Sequence, residues 1–132
     1  MSGADYGDFL AELHAAVQEE ASLWEVPVGS IDKLPSGEVV HGPWLAQDCA
    51  RVLSQWLEAG MLALYRCNAD GTPGDCLSAE EAKAELGNPD RWVRPARWTD
   101  VVNLVMTESG SSASFDDWVL QHRAREELRS QK

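Results

Sequence analysis

Pro43-Trp-Leu-Ala-Gln-Asp-Cys-Ala-Arg-Val-Leu-Ser-Gln-Trp-Leu-Glu-Ala-Gly-Met-Leu-Ala-Leu-Tyr-Arg66 reads as one amphipathic helix, a glycine stop and a strand. Leu45, Cys49, Val52, Leu53, Trp56 and Leu57 recur at helical spacing and fall on one face. Pro43 fits the first turn, where a missing N–H costs nothing. Gly60 supplies the left-handed residue that ends a helix. Met61 to Tyr65 is then a short β-prone run.

Outward from this unit, Val101 to Thr107 is a second β-rich run, expected to pair with Met61–Arg66. Between them, Cys67 to Cys76 reads as a loop, and Asn68, Asp70, Gly71 and Asp75 as a plain turn without calcium-loop spacing. Ser78 with Glu81 forms a capping box that opens a helix of about two turns. Ser114 caps a last helix running to about Arg129. Its order of charge, Asp116 and Asp117 early and Arg123, Arg125 and Arg129 late, suits the helix dipole. Phe115, Trp118, Val119, His122 and Leu128 form its expected inner side. Upstream, Asp8 caps a helix to about Ser22 or Trp24, with Phe9, Leu10, Leu13, Ala16, Val17 and Ala21 inward. Residues 1–7 read as a flexible tail. Glu38 to His41 reads as a short strand after the Ser36-Gly37 turn. The expected fold class is α+β: a single domain over residues 8–132, with about four helices on a small antiparallel sheet.

The chain has 132 residues, enough to bury a core without metal or disulfide staples. Three cysteines, the absence of a long apolar run and the lack of a secretory leader pattern lead to an expected cytoplasmic setting without membrane contact. The net charge is −11. Residues 1–32 hold seven acids and no Lys or Arg. A surface of that sign repels phosphate backbones and suits a basic partner.

Leu57-Glu-Ala-Gly60 and Met106-Thr-Glu-Ser-Gly110 resemble the helix end and strand end of winged-helix domains, over Pro43–Gly110. The resemblance implies a winged-helix-like fold and, as one function, a DNA-binding transcription regulator. The polar face of the helix, Gln47, Asp48, Arg51, Ser54, Gln55 and Glu58, sets one cation against two anions. A DNA reader needs several cationic phosphate contacts.

The preferred expectation is therefore an acidic protein-binding module that neutralises or regulates a basic partner. Toxin-immunity proteins and small adaptors share this profile. Asp8, Glu12, Glu19 and Glu20 on the first helix form the expected acidic face. Arg91, Trp92, Arg94, Arg97 and Trp98 form the one basic cluster interleaved with aromatics, open to an anion or an acidic peptide. The competing reading has the tryptophans covering core while the arginines pair with local acids. Self-association and a tryptophan-lined ligand pocket stay open. No catalytic motif, cofactor motif or metal-ligand spacing is present, so no enzyme, cofactor or metal is expected.

Overall fold

The computed structural model describes residues 3–97 and 101–130. The decisive unit forms as its pattern dictates. Helix α2 (Ala46–Glu58) turns Cys49, Val52, Leu53 and Trp56 inward, and Gly60 at φ 77° releases the chain into strand β3 (Leu62–Cys67). Leu45 does not join that face. It is the extended residue before the first turn and stays 62% exposed.

Strand β3 is the centre of a three-stranded antiparallel sheet. On one side it pairs with β5 (Val102–Met106), Leu64 opposite Leu104. On the other it turns back into β4 (Pro73–Cys76), with a register shift between Tyr65 and Cys67. The segment between the cysteines is therefore a closed hairpin. Asp70 accepts from the Thr72 N–H and hydroxyl, and both cysteines are free thiols. Helix α3 (Ala79–Leu86) opens on the expected box, Ser78 and Glu81 each capping the other's backbone N–H. A 3-10 turn, Pro89–Trp92, follows.

The two terminal helices close the core. Helix α1 (Gly3–Gln18) begins inside the stretch expected to be a tail. The Tyr6 ring meets Phe9 edge-on and its hydroxyl reaches His122, so tertiary contact extends the helix. Asp8 is thus an interior helical residue and not a cap. The helix stops before Ser22 because β5 captures the backbone: Leu104 N–H donates to the Ala21 carbonyl, and Asn103 Nδ2 to that of Glu20. A 3-10 helix, Leu23–Val28, carries on from there. A short helix, α4 (Glu108–Ser112), follows β5. Helix α5 (Phe115–Ser130) buries Trp118 and His122, while Leu128 lies beyond the core and is exposed.

Trp56 and Trp118 sit at the centre, ring centroids 5.0 Å apart in edge-to-face contact. Trp56 Nε1 donates to the Trp118 carbonyl at 2.8 Å, so neither indole leaves a buried donor unmet.

One element stands outside this core. Strands β1 (Ser30–Leu34) and β2 (Gly37–His41) form a separate two-stranded hairpin. Its second strand matches the expected Glu38–His41 run, and its first is ordered by pairing with it.

Candidate functional site

The hairpin is built at its base by close backbone approach. Gly29 sits at φ 80°, and a Cβ there would fall 1.9 Å from the His41 carbonyl oxygen. Only glycine lets the two strands meet at that point. Trp44 N–H donates to the Pro27 carbonyl and closes the base. From there the register runs Ser30–His41, Ile31–Val40, Asp32–Val39, Lys33–Glu38.

Strict alternation divides the arm into two faces. Ile31 and Val40 are cross-strand neighbours on one face, followed by Lys33 and Glu38. Ser30, Asp32 and His41 share the other, which meets α1. The apolar residues find no core: Ile31 is 57% exposed and Val40 60%, with Leu34 and Val39 also exposed toward the tip. Val28 at the foot of the arm is exposed as well. A two-stranded ribbon is marginal alone in water, so an arm of this kind depends on what it packs against.

What it packs against is half of the expected acidic face. Asp8 and Glu12, one turn apart on α1, both point at the arm. His41 Nδ1 lies 2.7 Å from Asp8 Oδ2 and 3.9 Å from Glu12 Oε1. Its Nε2 lies 2.8 Å from Asp32 Oδ2. Ser30 Oγ donates to Glu12 Oε1. Both ring nitrogens meet carboxylates, and the Asp8 and Asp32 hydrogen bonds raise the imidazole above its ordinary pKa, outweighing desolvation. Glu19 and Glu20 take no part in this group and remain exposed at the far end of the helix. Two of the four acids thus face the arm, and of the other two Glu20 hydrogen-bonds Tyr65.

The basic cluster divides similarly. Arg91 Nε lies 2.6 Å from the buried carboxylate of Glu85, which Arg66 also approaches at 3.2 Å. Trp92 packs on the core, and its Nε1 donates to the Leu86 carbonyl at 2.9 Å. Arg94 lies 5.9 Å from the centroid of the Trp24 ring. Arg97 is exposed, and Trp98 lies outside the described residues. Arg91 and Trp92 thus engage Glu85 and the Leu86 carbonyl, while Arg94 and Arg97 are exposed. Beside it runs an open groove of about 710 Å³ lined by Leu45, Ala50, Leu86, Pro89, Trp92 and Val93.

A polar chain crosses the interior. The Tyr6 hydroxyl meets His122 Nε2 at 2.6 Å, and His122 Nδ1 meets Gln55 Oε1 at 2.6 Å. Gln55 Nε2 donates to Glu126, which also pairs with Arg51. Burial lowers the His122 pKa, so the neutral ring accepts from Tyr6 and donates to Gln55. The chain ties α1, α2 and α5 together. Cys49 is buried, and desolvation pushes its thiol up to about 12, which leaves it unreactive at neutral pH.

Spacing along the sequence gave no sign of the Asp8–Glu12–His41 group, because its imidazole arrives from 33 residues beyond Asp8. Among the described residues no helix is long and apolar enough to cross a membrane. No family model, curated protein or solved structure matches this chain.

Proposed function

We propose that this chain is a protein-binding module, acting in a reducing compartment, whose β1–β2 arm docks on the surface of a basic partner. The observation that carries this reading is the Ile31–Val40 pair, exposed on an arm whose opposite face is held to α1. A cross-strand apolar pair left exposed on an arm outside the core is a surface that a partner can cover. Charge supports the sign of the partner. The chain carries −11 overall, and Asp32, Glu38, Glu19, Glu20 and Glu25 are exposed on the arm, the end of α1 and the segment between them. Such a distribution steers a basic protein toward the arm, and the apolar pair then slows its release.

The alternative, a winged-helix DNA reader, asks α2 to offer Arg51 and Gln55 to base edges. Arg51 pairs with Asp48 and Glu126, and Gln55 is buried against His122 and Glu126. The helix has no cation left to lead an approach to phosphate, so protein binding is the reading adopted. Analytical ultracentrifugation of the isolated chain is the first test. A monomer is expected. A dimer that dissociates when Ile31 and Val40 become serine would replace the basic partner with a second copy of this chain.

A further inference from the structure

We propose that Asp8, Glu12 and His41 form a binding site for a divalent transition-metal ion of the zinc class. The three come from two elements, two carboxylates from α1 and an imidazole nitrogen from β2. Their ligand atoms all lie within 4.8 Å of one another. A tetrahedral zinc with bonds of about 2.0–2.2 Å needs neighbouring ligand atoms roughly 3.3 Å apart. The observed separations from His41 Nδ1, 2.7 Å to Asp8 and 3.9 Å to Glu12, bracket that value. Small side-chain rotations would equalise them.

The surroundings favour a metal over an accidental cluster. A ligating imidazole ordinarily donates its second N–H to a carboxylate, which fixes its tautomer and aims the free nitrogen. Asp32 stands in that place, 2.8 Å from Nε2, on the side away from the two α1 acids. Ser30 orients Glu12 by donating to its carboxylate. The His41 side chain is 17% exposed, Glu12 24% and Asp8 36%, so the ion has a path in and water can complete its coordination. One nitrogen and two carboxylate oxygens match zinc-class ions better than calcium or magnesium, which take oxygen ligands alone. The ion would replace the proton between Nδ1 and Asp8 and would fasten the arm to α1. This inference does not rest on the partner reading, since the site is complete within the chain.

Calorimetric titration of zinc chloride into the chelator-treated full chain is the test. About one equivalent should bind. His41→Gln, Asp8→Asn and Glu12→Gln should each weaken binding at least tenfold, and Asp32→Asn by roughly tenfold. Circular dichroism confirms that each variant is folded, and three independent ligand variants guard against loss of any one. The Cys67→Ser/Cys76→Ser double variant should bind as the parent does. The ¹⁵N resonance of His41 Nδ1 should move on zinc addition. No binding at millimolar zinc would overturn the proposal. So would binding that survives the His41 and Glu12 changes, or that disappears with the cysteines.

Discussion

Replacing Ile31 and Val40 together by serine separates a surface built for a partner from one built for the fold. Fully burying a Val or Ile side chain stabilises by roughly 1.5–3 kcal/mol. Ile31 is 57% exposed and Val40 60%, so about four-tenths of that applies within the isolated chain. Each serine should then cost about 0.6–1.2 kcal/mol, as an upper bound, because the unfolded chain also buries some of this area. Leu53, fully buried at the centre of α2, gives the contrast. Its replacement by alanine should cost about 2–5 kcal/mol. The remaining six-tenths of each arm residue is what a partner would cover. That amounts to roughly 2–4 kcal/mol for the pair, or about a 20- to 400-fold loss of affinity. Urea unfolding followed by tryptophan fluorescence reads the first quantity. The double arm variant should lose no more than about 1–2 kcal/mol, shared between two residues and with an unchanged slope, while Leu53→Ala alone shifts the midpoint further. If the arm variant lost as much stability as Leu53→Ala, Ile31 and Val40 would be core residues and the docking argument would fail.

Other consequences are open to direct measurement. A Cβ on Gly110 would fall 1.9 Å from the Met61 carbonyl oxygen and 2.9 Å from the Trp118 ring, whereas Gly87 has only ordinary contacts at 3.7 Å. Gly110→Ala should therefore destabilise by about 1–3 kcal/mol and Gly87→Ala should be neutral or mildly stabilising; equal melting temperatures would contradict the packing described. Ser78→Ala removes one half of the α3 capping box and should cost about 1 kcal/mol in chemical denaturation. His122 has a lowered folded pKa, so its contribution is complete above the ordinary value of 6.5 and is lost as pH falls below it. His41 has a raised pKa and acts oppositely, its contribution complete below 6.5 and lost as pH rises through the folded value. Melting temperatures between pH 8 and pH 5 should fall less steeply below 6.5 in His122→Asn than in the parent. Parallel profiles would show that His122 does not remain neutral in the fold.

The elements that sequence made legible are those whose signals are local. The Leu53–Trp56 stripe, the Gly60 stop, the Ser78–Glu81 box and the paired runs at Leu62 and Val102 each carry their instruction within a few residues. Errors arose where distant contact outranked local preference. Backbone pairing of Ala21 and Ser22 with β5 cut the first helix short, and the Tyr6–His122 contact lengthened its start. Strand β1 carries no local signal because Ser30-Ile-Asp-Lys-Leu34 lies between breakers and draws its order from β2. The candidate site was half legible for the same reason. Asp8 and Glu12 were visible as acids on one helical face, but their partner His41 comes from an arm whose fold follows no local periodicity. Of the arginine–tryptophan cluster, Arg91 and Trp92 proved to be occupied by Glu85 and the Leu86 carbonyl. Pattern alone cannot distinguish such internal pairing from a free binding surface.

A paired capture experiment tests the docking arm most directly. The parent chain and the Ile31→Ser/Val40→Ser variant, immobilised at equal density, would be exposed to the same lysate at low and high salt, with quantitative mass spectrometry of what each retains. A basic protein should be enriched on the parent, should fall at least tenfold on the variant, and should weaken as salt screens the acidic surface. Equal retention by both surfaces, or a retained protein that is acidic and indifferent to salt, would contradict the assignment of the arm to a basic partner.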